Sequence, residues 1–474
     1  MNKIEIKNLS ANLGIAVDFV DWKTDTELTR IDFKLENVGP DTIVFYFLGI
    51  GDTAEKALCE RLKKSRAGVV VLNRHPSVPI PSHNFLYLNA DHFLQFQKVL
   101  LDKWHPIAAE KKIVAVTGTN GKTTIVHLCL QISEQLGKRA FSVGTLGVRS
   151  LHRAPIETGM TTPAFIQLRK ILSDYFKDHD VCFLEASSHA LEQGRIYGLS
   201  FDVAAWTNFT QDHLDYHRTM DAYFDSKMLL PLRHLKPLAP LFIPPANDEL
   251  FKKIKKGWPS PLLLKARSLT ERSLTPISLF FLVSFNRANL EIALALNEFL
   301  WGNVRSINPE ILSPPEGRFQ VKQFGKKLTV VDYAHTPDAL ENICAGIKRS
   351  FPEKKLVLVF GCGGDRDKTK RPLMGSIAVR LADRIFVTSD NPRNEEPKRI
   401  IDDILHGIIP SISHQKITVI EDRGTAIGAA LSSLTNDEIL IVAGKGHEAY
   451  QDIRGTKYPF NDLEIIERII GEMK

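Results

Sequence analysis

The chain has 474 residues, 43% of them apolar and 24% charged, with a formal net charge of +6. This composition excludes a mostly disordered chain and fits a soluble globular protein of several domains. The positive excess is thin over such a length, so it suits anionic ligands but gives no ground for nucleic-acid binding. No stretch approaches the roughly 20 apolar residues of a spanning helix, so no membrane insertion is expected.

Residues 1–107 read as a small α/β domain. Thr42–Phe47 and Gly68–Leu72 have the apolar run of strands, and Ala54–Lys64 the spacing of a helix. The start, Met1-Asn2-Lys3-Ile4-Glu5, is too polar for a signal peptide. Cys59, Cys129, Cys182, Cys344 and Cys362 are scattered, with no Cys-x-x-Cys pair. Structural thiols, no zinc site and a cytoplasmic location are therefore expected. The polar stretch from about 103 to 112 is a candidate linker.

Residues 108–315 form the expected nucleotide domain. Lys111–Ala115 reads as a buried strand, followed by Val116-Thr117-Gly118-Thr119-Asn120-Gly121-Lys122-Thr123-Thr124 and a helix from Ile125. Strand, glycine turn, lysine, hydroxyl pair and helix make a phosphate-binding loop. Gly118 and Gly121 let backbone N–H groups face an anion, and the helix directs its positive end to the same place. Lys122 can neutralise the outer phosphates of ATP, and Thr123 can hold magnesium.

The run Val181–Leu184 ends in Glu185, placed to reach that metal or, alternatively, to cap a helix. Ser187, Ser188 and His189 follow it. The strand Asp202–Trp206 leads into Asp212-His213-Leu214-Asp215-Tyr216-His217, a density of acids and imidazoles that suits metal or phosphate chemistry or a polar loop. The helix Ala222–Leu230 carries Lys227, which by its context is a surface residue. Residues 234–285 are rich in proline and give no clear pattern. Asn286 and Asn289 share one face of the helix that follows, suited to a base or to capping.

Residues 316–474 alternate strands (328–331, 356–360, 384–387, 417–420 and 439–442) with helices, the pattern of a parallel, doubly wound sheet. Ligands of such sheets sit beyond the carboxyl ends of strands. Polar segments fall there: Asp332-Tyr333-Ala334-His335, Gly361-Cys362-Gly363-Gly364-Asp365-Arg366-Asp367, Ser389-Asp390-Asn391-Pro392-Arg393 and Gly444-Lys445-Gly446-His447-Glu448.

These motifs, in this order from about 112 to 470, resemble the Mur ligases, and within them the branch that adds meso-diaminopimelate to UDP-N-acetylmuramoyl-L-alanyl-D-glutamate. The resemblance implies three α/β domains: an N-terminal one for the UDP substrate, a central P-loop domain and a C-terminal Rossmann-like domain for the amino acid. It implies an ATP-dependent amide ligase of peptidoglycan precursor synthesis, acting through an acyl phosphate as a cytoplasmic monomer.

Lys122, Glu185, His213, Arg318 and Asp332 match the family's catalytic positions, with Asn286 and Asn289 at the nucleotide. Thr123, Glu185 and His213 would serve two magnesium ions, and Lys227 stands where the family carries a carbamylated lysine. Thr161, Thr162, Ser187, Gln193 and Arg195 match acceptor contacts, while Met160 replaces the asparagine of some relatives. Arg366, Asp390, Asn391, Pro392, Arg393, Gly444 and Glu448 match the diaminopimelate contacts, with Arg393 choosing between that amino acid and lysine. The N-terminal domain departs from the pattern: Asp32-Phe33-Lys34 stands where the family has Asp-Ser-Arg, and Phe33 has no hydroxyl to donate. The altered N-terminus also fits a carboxylate–amine ligase of the same build with a different acceptor; a reading from a different class is an ATP-binding regulatory or scaffold protein without turnover.

Overall fold

The computed structural model describes residues 1–20, 22, 27–269, 279–304, 307–408 and 417–472. Three large sheets follow one another along the chain, and a two-stranded ribbon, Tyr450–Ile453 with Thr456–Pro459, follows the third. The first has five strands in the order 17–20, 85–88, 69–72, 42–46 and 30–32, all parallel except the antiparallel edge Val17–Val20. Its central strands, Thr42–Tyr46 and Val69–Leu72, are covered on both faces, which is why they read as unbroken apolar runs. The sequence reading found these two strands and the helix that begins at Asp52, and it missed the strands 17–20, 30–32 and 85–88. The candidate linker is narrower than its expected span, because the helix Ala90–Trp104 runs into it and the strand Lys112–Thr117 begins at its end.

The core of this first sheet is completed from elsewhere. Phe165 and Ile166, at the start of the helix Phe165–Tyr175, are buried in the same cluster as Phe93, Phe96 and Leu100. One turn on, Arg169 is bonded to Asp102 and to the His105 carbonyl. Lys170 Nζ pairs with Asp32 at 2.7 Å. Asp32 also accepts the N–H groups of Phe33 and Lys34, and although its burial opposes ionisation, Lys170 and these donors hold its carboxyl below the usual range. The departure at Phe33 thus sits on a turn that joins the first sheet to the second.

The second sheet has seven strands in the order 263–265, 241–243, 203–206, 112–117, 181–185, 140–144 and 147–149, parallel except for the last. Lys112–Thr117 is central, so the glycine loop after it lies mid-sheet. The loop helix Lys122–Gln135 and the helix Ser284–Trp301 pack together on one face, joined through Ser133 Oγ and Asn297 Oδ1 at 2.8 Å. The helix Met220–Leu229, capped by Thr219, passes into a π-helical turn, Leu230–His234. Pro231 lies in that turn, and its missing N–H leaves the regular α-helical ladder incomplete.

The third sheet runs 320–324, 327–332, 438–443, 355–360, 384–387 and 417–419, with only the first strand antiparallel. The last strand in sequence, Glu438–Ala443, enters between Lys327–Asp332 and Lys355–Phe360. The carboxyl ends of these parallel strands therefore gather the polar segments. This unit closes onto the second sheet: Asn120 Nδ2 donates to Asp338 Oδ2 at 3.0 Å, and Gln211 Nε2 donates to Thr369 Oγ1 at 3.1 Å.

Candidate active site

The glycine loop needs its glycines at two points. Gly118 has φ +137, and a Cβ there would collide with Thr207 Oγ1. Gly121 has φ +86, and a Cβ would lie 2.6 Å from Asn289 Oδ1. Thr207 and Asn208, at the end of the adjacent strand, tie the loop down: Thr119 N–H donates to the Asn208 carbonyl, and Asn120 N–H to Asn208 Oδ1. The Lys122 ammonium donates to the carbonyls of Gly118 and Thr119, both at 2.8 Å. Burial pushes its pKa down, and Glu185 and Asp212 oppose that shift. Thr123 and Thr124 are buried in the first turn of the loop helix.

Glu185 ends the next strand and lies against the hydroxyl pair. It accepts from Thr123 Oγ1 at 3.0 Å and from Thr145 N–H at 2.8 Å and Oγ1 at 3.1 Å. Burial pushes its carboxyl up, with Lys122 acting against it. A Cβ on Gly144 would collide with Glu185 Oε1. The sequence reading missed Gly144 and Thr145, which end a strand without a charged residue to advertise them.

Lys227 is buried, against the surface position its context suggests. It is 1% exposed, donates to the Gly118 carbonyl at 2.9 Å and lies over the Tyr223 ring at 4.7 Å. No carboxylate lies within 4.0 Å of it among the described residues. Burial first and the Lys122 charge second push its pKa well below the usual lysine range. His213 begins a short helix at φ +55, with its Nε2 3.4 Å from Asp212. Burial pushes the imidazole pKa down; Asp212 is buried too, yet His213, His335 and Lys370 hold its carboxyl below the usual range. The ring of His189 stands 4.9 Å from that of His213. Among the described residues no three His, Cys, Asp or Glu side chains form a metal cluster.

The residues matched to acceptor contacts form one hydrogen-bonded chain. Thr161 and Thr145 hydroxyls are 3.1 Å apart, and Thr162 Oγ1 donates to the Glu185 carbonyl at 2.6 Å. Ser187 caps the helix Ser188–Glu192 and bonds Thr162. Arg195 donates to the Thr162 carbonyl and to Gln193, and its Nη1 reaches Met160 Sδ at 3.3 Å, so the methionine lies within the cluster. The two asparagines part company: Asn289 lies against Gly121, while Asn286 donates back to the Phe280 carbonyl at 3.0 Å.

On the third sheet, Asp332 accepts the N–H groups of Phe319 and Ala334, both at 2.8 Å. Burial raises its pKa and Arg318 opposes that; the Arg318 guanidinium stacks on Tyr333 at 4.2 Å. Beyond the next strands, Asn391 Nδ2 donates to Glu448 Oε2 at 2.6 Å. Gly444 lets Asp390 approach, since a Cβ would lie 2.7 Å from its Oδ2. Arg393, after Pro392, has φ +51 and donates to the Gly364 carbonyl at 2.7 Å. Arg366 is exposed and, among the described residues, its guanidinium bonds its neighbour's carbonyl, while its stem lies on Gly363 near the Arg393 guanidinium. Lys445 and Arg423, fully buried here, were not among the expected site residues.

The phosphate loop, the buried carboxylate beside its hydroxyl and the hydrogen-bonded polar chain lie on the second sheet, and a charged cluster lies on the third, which bonds the loop through Asp338. The Mur ligase middle domain matches residues 116–264, and the Mur ligase glutamate ligase domain matches residues 317–446. A UDP-N-acetylmuramoyl-L-alanyl-D-glutamate–2,6-diaminopimelate ligase of Leptospira borgpetersenii is 37% identical over 87% of this chain and 88% of its own. One of the same name from Clostridium tetani is 30% identical over 100% and 99%. A solved structure bearing that name superposes with a TM-score of 0.60 at 31% identity, covering 95% of this chain and 97% of that one. A MurF ligase of Thermotoga maritima shares the fold, with a TM-score of 0.61 at 16% identity and 95% and 100% coverage. With identity at this level along nearly the whole length, and both domain models falling on the loop and on the closing sheet, the chain belongs to the Mur ligase family.

Proposed function

We propose that the protein joins meso-diaminopimelate to UDP-N-acetylmuramoyl-L-alanyl-D-glutamate at the expense of ATP. The observation that carries this reading is Arg393, anchored beside the Asp390–Asn391–Glu448 cluster. The relatives named as diaminopimelate ligases support it. The acceptor carboxylate attacks the γ-phosphate of ATP to give an acyl phosphate; the amine of the amino acid then displaces phosphate and leaves an amide. No protein nucleophile is needed, so the chain's work is positioning and charge neutralisation.

In this reading the glycine loop and Lys122 hold the phosphates, and Arg318 and Asp332 complete the ATP site from the third sheet. Thr161, Thr162, Ser187, Gln193 and Arg195 orient the acceptor. The first sheet, residues 1–107, holds the UDP end without the family's serine. Residues 108–315 bind ATP and residues 316–474 the amino acid.

A hydroxyl and a carboxylate 3.0 Å apart suit magnesium, which takes few protein oxygens and keeps waters and phosphates. Thr123 and Glu185 would hold it, with His213 acting through water and Lys227 as its carbamate. Bound there, the ion neutralises charge on the transferring phosphoryl group. The depressed lysine pKa favours the carbamate, because the neutral amine is the form that adds carbon dioxide.

Incubation with ATP, magnesium, the UDP-linked dipeptide and a panel of amino acids should give one product by mass, the diaminopimelate adduct. ADP should form only when both acceptor and amino acid are present; equal ATP turnover without acceptor would remove the ligase reading.

The contact of Asn120 with Asp338 joins the glycine loop to the third sheet, and closure of that sheet completes the site. Asp338→Ala should therefore lower kcat by roughly 2- to 10-fold, the equivalent of about 0.5–1.5 kcal/mol for one hydrogen bond. An unchanged kcat at saturating ATP would separate this contact from closure.

A further inference from the structure

Lys445 is fully buried, an unusual place for an ammonium unless its donors are matched. Its Nζ donates to Asn391 Oδ1 at 2.9 Å and to Glu448 Oε2 at 3.2 Å, and stands 3.6 Å from Asp390 Oδ1. The aromatic rings of Tyr450 and Phe460 lie about it, at 5.9 and 6.0 Å from the ammonium to their centroids.

This cation settles which way the Asn391 amide points. Oδ1 already accepts from the Asp452 N–H at 2.9 Å as well as from Lys445, so Nδ2 must face Glu448. Glu448 Oε2 is then committed twice, to Asn391 and to Lys445. Its other oxygen takes no hydrogen bond among the described residues. Behind the cluster, Arg423 and Asp462 form a fully buried pair at 2.6 Å. Burial opposes the arginine charge, and Asp462, then Asp390 and Glu448, more than restore it. Lys445 and Arg423 thus face Asp390, Glu448 and Asp462, and the unbonded Glu448 oxygen is the acceptor left for a ligand ammonium.

We propose that Lys445 is a positioning residue for the incoming amino acid: it locks Asn391 and Glu448 in the arrangement that offers one free carboxylate oxygen to the ligand's ammonium. The proposal rests on the reading of this pocket given above. Lys445 touches no reacting atom; it acts through Glu448.

The test is a double-mutant cycle. Lys445→Met should raise KM for diaminopimelate about 10- to 100-fold, the range of a hydrogen bond to a charged group, with KM for ATP and for the acceptor within about 2-fold of wild type. In a Glu448→Gln background the same change should cost less than about 3-fold, because the residue through which it acts is already altered. Equal factors in the two backgrounds, or KM for ATP rising in step, would overturn the proposal. If Lys445→Met does not fold, Lys445→Arg carries the test: it keeps the cation, but the larger planar guanidinium moves the charge from its point between Asn391 and Glu448, so KM for diaminopimelate should rise while KM for ATP does not. A wild-type KM in that variant would equally overturn it. Wild-type enzyme that ignores diaminopimelate strikes the reading of the pocket, whereas wild-type use of it with additive effects strikes Lys445 alone.

Discussion

Lys227→Ala should lower turnover by about 10²- to 10³-fold, the usual cost of removing a preorganised charge from an active site, and formate or acetate should restore part of it. As a bare amine, Lys227 is hard to justify. It is 1% exposed, lies beside the Lys122 charge and has no carboxylate within 4.0 Å among the described residues. A buried, unpaired cation costs several kcal/mol and would repel a metal ion. A carbamate in its place would supply two anionic oxygens beside Gly118. The helix that carries it is held independently by the Thr219 cap and by buried Tyr223, Phe224 and Met228. The variant should therefore keep its fold, and loss of activity at unchanged Tm separates chemistry from stability. Nuclear magnetic resonance with labelled bicarbonate should detect the carbamate in the wild-type protein. Full activity of the alanine variant in bicarbonate-free buffer would end the assignment.

Lys227 also shows where sequence reading stops. In its helix nothing distinguishes it from a solvated lysine: Tyr223 stands one turn earlier in the same helix, but Gly118, whose carbonyl it meets, is brought in by the fold. The glycine loop is different: its strand, turn and helix are contiguous, so local spacing alone identified it. The third sheet was equally legible. Its central strands are apolar on both faces, and each polar segment begins where the apolar run stops. Strands of three or four residues at the sheet margins, such as Arg30–Asp32 and Leu263–Lys265, carry too few residues to show a period. Their register comes from partners distant in sequence. Thr145, Thr207 and Asn208 were missed for a related reason: each is an ordinary polar residue whose role depends on which strand lies beside the loop. Lys445 lay inside a recognised motif, but only burial shows that it faces Asn391 and Glu448 instead of a phosphate.

Arg393→Ala should reduce kcat/KM for meso-diaminopimelate by roughly 30-fold to several-thousand-fold while leaving KM for ATP unchanged. The amino acid carries a distal carboxylate that lysine lacks, and a guanidinium can bind such a group through two parallel hydrogen bonds. The backbone aims this side chain: Arg393 sits at φ +51, with its N–H bonded to the Asp452 carbonyl and its carbonyl to the Arg454 N–H. One Nη1 donor is taken by the Gly364 carbonyl, leaving the remaining donors for the ligand. A Cβ on Gly363 would lie 2.9 Å from that Nη1, so the glycine keeps room for the guanidinium. Stranding one partner of a charged hydrogen-bonded pair costs on the order of 2–5 kcal/mol, and about 1.4 kcal/mol is a factor of ten. Because Arg393 is only half-buried, solvent screening moves the expectation toward the lower end of that range. The variant need not become a lysine enzyme, since Asp390, Asn391 and Glu448 still shape the pocket for a zwitterionic end. The decisive measurement is the ratio of kcat/KM for diaminopimelate and L-lysine in wild type and variant. A wild-type enzyme that uses both amino acids equally would show that the choice is made elsewhere than at Arg393.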